Sequence, residues 1–100
     1  MPLIYHITPR EAWLLAKELG VYAAPSLKEE GFIHCSHENQ LEGVLQRYYQ
    51  GKTELVKLVI DTDKLSSRMI YDWSKALTET FPHVYGPINL DAVVGVEEIV

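Results

Sequence analysis

The sequence contains a single cysteine, Cys35, which excludes an internal disulfide and a Cys-x-x-Cys redox or zinc motif. Cations are scarce. Nine Lys plus Arg stand against fourteen Asp plus Glu, for a formal net charge of −5. Sequence-independent binding along a nucleic-acid backbone needs clustered Lys and Arg, and this composition excludes it. No apolar run approaches the ~20 residues that cross a bilayer. The opening Met1-Pro2-Leu3-Ile4-Tyr5-His6 has neither the basic region nor the apolar stretch of a signal peptide. Six glycines and five prolines are too few for a disordered linker or a fibrous repeat. Gly-x-Ser-x-Gly and His-Glu-x-x-His are both missing, which argues against an elbow-type serine hydrolase and a zinc protease. What is present is an ordinary globular mixture of 47% hydrophobic and 23% charged residues in a chain of 100. The expectation is one soluble, cytoplasmic domain over residues 1–100, off the membrane, with room for one core and one small site.

Patterning divides the chain into elements. Leu3–Ile7 is β-branched and aromatic and predicts a strand. Thr8-Pro9-Arg10-Glu11 predicts a helix start, with Thr8 as cap, Pro9 at the first helical position and Glu11 closing a capping box. Ala12, Leu15, Ala16 and Leu19 then predict the buried face, and Gly20 the stop. Residues 21–30 read as a loop with a short strand at Val21–Ala23, because Pro25 and Lys28-Glu29-Glu30 oppose anything long. Gly31–Cys35 predicts a second strand. Ser36 predicts the cap of a second helix over His37–Gln50, with Leu41, Val44, Leu45 and Tyr48 inward and Gly51 as stop. Leu55–Ile60 is nearly continuous apolar sequence and predicts a central buried strand. Met69–Trp73 predicts a strand and residues 74–80 a loop. Phe81–Pro87, with two prolines and a glycine, predicts an edge strand or shaped loop, and Ala92–Val100 a closing strand. The order predicts an α+β fold, a compact single domain with a split mixed or antiparallel sheet and its two main helices in the N-terminal half.

The histidines carry the chemical signal, since imidazole donates, accepts and changes charge near neutral pH. His6 and His34 fit a satisfied core or edge residue as well as a ligand-facing one. His37 fits a surface position in a first helical turn. His83 is the most site-like, because two prolines and a glycine shape the backbone around it without any demand from core packing. The His34-x-x-His37 spacing crosses a strand-to-helix junction, so no metal is expected. Alternation along a strand places Cys35 in the core if His34 and Ser36 face a pocket. Trp13 and Trp73 read as packing residues, and Glu29-Glu30 as solvated. Asp72, between Tyr71 and Trp73, is a carboxylate placed for partial desolvation and hydrogen bonding.

Ile4-Tyr5-His6-Ile7, Gly31-Phe32-Ile33-His34-Cys35-Ser36 and Phe81-Pro82-His83-Val84-Tyr85-Gly86-Pro87, taken together, resemble domain-of-unknown-function family 952 over about residues 3–96. This is a group of small, mostly bacterial proteins, remotely similar to the ADP-ribosyltransferase-like superfamily. The resemblance implies that superfamily's split sheet and a cleft for NAD or another nucleotide. It implies a ribose-positioning role for His6, beside Thr8, and ribose or phosphate bonds from His34 and Ser36. The superfamily's later glutamate has no counterpart, and His83 and Tyr85 stand in its place. Where the family tends to carry an aromatic-Glu pair, this chain has Tyr71-Asp72. Such a carboxylate would stabilise the positive charge that builds on a sugar as its glycosidic bond breaks.

The expected function is a transferase or hydrolase acting on NAD or another nucleotide or phospho-ribosyl compound by glycosyl or phosphoryl transfer. Its catalytic set is His6, His34, His83 and Asp72, with Thr8, Ser36, Tyr85 and Gly86 binding the ligand. The alternative is a non-catalytic module that binds a nucleotide-like ligand or a protein partner.

Overall fold

In the computed structural model, which describes residues 2–99, the elements run β1 (Leu3–Pro9), α1 (Arg10–Leu19), β2 (Val21–Tyr22), α2 (Pro25–Glu30), β3 (Ile33–His34), α3 (Leu41–Tyr48), β4 (Leu55–Asp61), β5 (Arg68–Ser74), β6 (Glu79–Tyr85), β7 (Ile88–Asn89) and β8 (Val93–Ile99). Short 3₁₀ turns lie at Glu38–Gln40, Thr62–Lys64 and Leu90–Ala92. The apolar run of β4 forms the centre of a β1-β4-β8 sheet, as its lack of alternation requires. A second sheet has the order β3-β6-β5, and β2 pairs with β7. Every pairing is antiparallel, so the mixed alternative falls away. The predicted end of the closing strand, Val100, lies outside the described residues.

Residues opposite one another in a ladder share a face. Ile4, His6 and Thr8 pair with Ile60, Leu58 and Val56, so these six point one way. That way lies the main core, where Ile4, Val56, Leu58 and Ile60 meet Tyr22, Ile33, Cys35, Val84 and Ile88. Tyr5 and Ile7 point the other way, into a smaller cluster with Leu55 and with Leu41, Val44 and Leu45 of α3. α1 packs on the main core through Ala12, Trp13 and Ala16. The two helices therefore cover opposite faces of the sheet. One isolated bridge joins the sheets: Tyr5 and Ser36 exchange backbone N–H···O bonds of 2.8 Å each way. The sheet is split at this bridge.

Several local expectations are corrected. Thr8 does not cap α1. It ends inside β1 with its hydroxyl turned to Tyr22, Pro9 is the last strand residue and the N-cap position, and the Arg10 N–H is taken by the Glu54 carbonyl at 2.8 Å. The α1 face is rotated: Leu15 and Leu19 are exposed, because Trp13 takes the core position between Ala12 and Ala16. Residues 25–30 form α2 rather than loop. Pro25 sits in its first turn, where no N–H is needed, and Gly31 closes it in the left-handed conformation at φ 89°. Ser36 caps nothing, since its backbone is held in the bridge to Tyr5. The second helix begins instead with a 3₁₀ turn, the His37 N–H donates to Gln40 Oε1 at 2.9 Å, and α3 ends at Tyr48. β5 and β6 pair through Ser74↔Glu79, so most of the expected 74–80 loop is hairpin, and β6 is central rather than an edge. Pro82 is tolerated there because its missing N–H falls where the two-residue β3 ends. Its carbonyl still accepts from the Cys35 N–H at 3.0 Å.

Candidate functional site

The same register arithmetic builds the site. His34 is opposite His83, His83 is opposite Ile70, and Phe81 is opposite Asp72. His34, His83, Asp72 and Tyr85 therefore share the face of the β3-β6-β5 sheet that turns away from Ile33, Cys35 and Val84. Ser36, two residues on from His34, carries that face to Tyr5. Where the sheet splits, a cleft of about 600 Å³ opens on this face. His34, Ser36, Phe81 and His83 line one side, and Tyr5, Tyr48, Tyr49 and Lys52 the other. Its volume is that of a small-molecule site.

His83 is buried, and its Nδ1 lies 2.8 Å from Asp72 Oδ2. A carboxylate can only accept, so Nδ1 carries the proton and the Nε2 lone pair is left free. Nε2 has no partner among the described residues. Among the described residues no buried side-chain nitrogen or oxygen lacks one, so Nε2 is solvent-accessible, on a residue that lines the cleft. The Tyr85 hydroxyl donates to the same Asp72 oxygen at 2.5 Å. The ring of Phe32 stacks on the imidazole at 4.2 Å and 13°. Burial pushes His83 below its ordinary pKa, and the bond to Asp72 pulls the other way. The Tyr85 bond, and then the His83 bond, hold the Asp72 carboxyl below its ordinary value, while Asp72 raises Tyr85. Asp72 itself does not line the cleft. Its bond to His83 Nδ1 lets it orient the imidazole.

His34 is more than half exposed. Its Nε2 is 2.9 Å from Glu30 Oε2, and its ring meets that of His83 nearly edge-on, with centroids 4.9 Å apart. His6 sits differently. It borders the cleft, but the pleat directs it to the main-core face with Ile4 and Thr8. Its Nδ1 donates to the His34 carbonyl at 2.5 Å, and its Nε2 is 2.7 Å from the Tyr22 hydroxyl, which is 2.8 Å from Thr8 Oγ1. Burial pushes His6 down to about 4, so the ring is neutral with its one proton on Nδ1. The proton order must then run from the Thr8 hydroxyl to the Tyr22 oxygen and from the Tyr22 hydroxyl to His6 Nε2. Both ring nitrogens are engaged, and His6 with Thr8 forms a satisfied buried brace beneath β3 rather than a free ligand-binding group. Gly86 serves the backbone. A Cβ there would stand 2.9 Å from Ser67 Cβ, and the residue does not line the cleft.

Cys35 is buried, and burial alone raises its thiol far above the ordinary value, in keeping with a core role. Trp73, expected to pack, is 64% exposed and lines the cleft with Ser74 and Leu77. His37 pairs with Tyr71 at 3.0 Å, away from the cleft residues. Three further residues join the site. Phe32, within the quoted motif but given no role of its own, lies two residues before His34, and alternation puts both on one face. Glu30, expected to be solvated, bonds His34 from the end of α2, and Lys52 has no local sequence signal. Among the described residues no group of three or more His, Cys, Asp and Glu side chains is placed to hold a metal, and no helix is long and apolar enough to cross a membrane.

Comparison with known proteins agrees with this architecture. The profile of the family described as protein of unknown function (DUF952) matches residues 7–96. The crystal structure of protein CC0527 from Caulobacter crescentus, a structural-genomics target, superposes with a TM-score of 0.89 at 27% identity, over 99% of this chain and 87% of that one. Its solution NMR structure gives 0.83 at 28% identity, over 99% and 85%. No curated protein matches the chain.

Proposed function

Because this chain belongs to the DUF952 family, which is defined without an activity, its function has to come from its own side chains, and we propose that the cleft performs general acid–base chemistry on a nucleotide or phospho-ribosyl compound, as a transferase or hydrolase. One observation carries the reading: a buried imidazole that lines the cleft, whose Nδ1–H is taken by a carboxylate and whose Nε2 is solvent-accessible. A carboxylate behind a histidine fixes its tautomer and orientation and stabilises the imidazolium formed when the ring takes a proton. Such an assembly contributes on the order of 10²–10⁴ in rate. Phe32 holds the ring plane, Tyr85 holds Asp72, and a substrate hydroxyl or water at Nε2 would be deprotonated there. The rest of the cleft suits a nucleotide-like ligand. Tyr48 offers aromatic surface for a planar ring, Lys52 a charge for phosphate, and His34 and Ser36 hydrogen-bonding groups for ribose or phosphate. NAD is one candidate within that class.

The bonding of Asp72 favours one refinement: its Oδ2 already accepts from His83 Nδ1 and from the Tyr85 hydroxyl. With that oxygen engaged, proton transfer, rather than carboxylate support of a ribosyl cation, is the chemistry we assign to this site. Isothermal titration with NAD, ADP-ribose and nucleoside cyclic phosphates tests the reading. We expect millimolar or tighter binding of at least one, weakened by about tenfold in His83→Ala, the loss of one hydrogen bond. No binding of any of them to the wild-type protein would refute it. Binding that His83→Ala leaves unchanged, with no product formed, would favour a non-catalytic ligand module.

A further inference from the structure

The site holds a second carboxylate–imidazole unit that the reading above does not use. Glu30, the last residue of α2, lies 2.9 Å from His34 Nε2, as Asp72 lies 2.8 Å from His83 Nδ1. The two units are cross-strand neighbours by register, His34↔His83. Phe32 fixes both rings, stacked on His83 at 4.2 Å and edge-on to His34 at 4.8 Å. Each imidazole thus gives one nitrogen to its own carboxylate and keeps one nitrogen without a partner among the described residues.

We propose that His34 and His83 act as one coupled acid–base pair, with Glu30 the positioning residue of His34 as Asp72 is of His83. The inference rests on the proposed acid–base reading of the cleft and extends it to a two-proton mechanism. A transfer between two oxygen atoms needs a base for the incoming O–H and an acid for the departing oxygen. In the pair, His83 Nε2 takes the proton of the attacking hydroxyl or water as its oxygen bonds to the reacting centre. His34, in its imidazolium form, gives a proton to the leaving oxygen as that bond breaks. The cycle begins with the pair's proton on His34 and ends with it on His83. Charge is conserved and no further reactant is needed. Reversal of the roles regenerates the starting state in a second transfer, to water for example.

Coupling follows from the spacing. Two rings with centroids 4.9 Å apart repel when both are charged, so a proton on one disfavours a proton on the other. The charged and titratable groups around them are Asp72 from β5, Tyr85 from β6 and Glu30 from α2. Across the cleft stand Tyr5 of β1, Tyr48 and Tyr49 at the end of α3, and Lys52 after it, and His6 of β1, neutral, lies against the His34 backbone. Among the described residues only Glu30 and Asp72 bond an imidazole of the pair.

Histidine ring resonances followed by ¹⁵N-edited NMR from pH 4.5 to 8.5 test this in the intact protein. His34→Gln should raise the His83 midpoint by about half a unit, because a neighbouring positive charge is removed. Glu30→Ala, which removes the acceptor altogether, should shift the His34 ring nitrogens away from the Nε2–H tautomer without disturbing the amide spectrum, a change that a merely structural role would not produce. Asp72→Asn should lower the His83 midpoint. If Asp72→Asn moves His83 while His34→Gln and Glu30→Ala move nothing, the pair is refuted and the single His83–Asp72 unit stands. If Asp72→Asn also leaves His83 unmoved, both readings fall.

Discussion

The buried brace at His6 makes a quantitative demand on the pH dependence of stability. His6 is neutral in the folded chain because burial holds its pKa near 4, against 6.5 when unfolded. Above pH 6.5 both states are neutral there and stability is unaffected. As the pH falls from 6.5 towards 4, the unfolded chain binds a proton that the folded chain refuses, and folding stability is lost. One pKa unit corresponds to ~1.4 kcal/mol, so the loss attributable to this residue reaches about 3 kcal/mol by pH 4. That is a large share of the ~5–15 kcal/mol that separates folded from unfolded in a typical domain. Carboxylates also titrate below pH 5, so the comparison has to be differential. His6→Gln keeps a donor for the His34 carbonyl and an acceptor for the Tyr22 hydroxyl, and it cannot titrate. Urea unfolding of both proteins at pH 7, 6, 5 and 4 should show the wild type more stable at pH 7 and its advantage shrinking by about 3 kcal/mol at pH 4. Parallel curves, with a constant difference between the two proteins, would refute the account of His6 as a neutral buried brace.

Two further predictions concern the frame around the site. Cys35, buried and with its thiol pushed up, should react with a disulfide reagent at least about 100-fold more slowly in the native protein than in urea, and a native rate near the unfolded one would contradict its core assignment. Gly86→Ala should destabilise by about 1–3 kcal/mol through contact with Ser67 and through a φ of 158° that side chains rarely adopt, and Ser67→Gly in the same chain should recover only part of the loss in thermal unfolding, because the backbone strain stays and the Ser67 bond to the Pro87 carbonyl is lost.

What could be read from the sequence follows the range of the forces involved. β4 was legible because burial on both faces removes the polar alternation of a strand. The stop of α1 at Gly20 was legible because φ 83° is cheap only for glycine. α2 was not, because Pro25 reads equally as a breaker and as a first-turn residue, and only the packing of Leu27 against the core decides between them. The rotated face of α1 has the same origin. Leu15 and Leu19 match the period, but Trp13 has more apolar surface to bury. For the site, Asp72, His83 and Tyr85 were found because turn chemistry and local composition mark them, and the hairpin then brings them together. His6 was grouped with His34 and His83 because each lies in a strand. Which face of β1 meets the cleft depends on its register against Ser36, a contact more than thirty residues away that no local pattern encodes. Glu30 and Lys52 are ordinary surface residues until tertiary structure sets them beside the cleft.

A nucleotide-like ligand at the open nitrogen of His83 should be visible in a titration of the labelled protein with ADP-ribose, followed through the His83 and His34 ring resonances and the Ser36 amide. These signals should shift together, saturably, and the His83 midpoint should move as the ligand binds. Shifts confined to α1 or β8, with the His83 ring unmoved at saturating ligand, would contradict binding at His83.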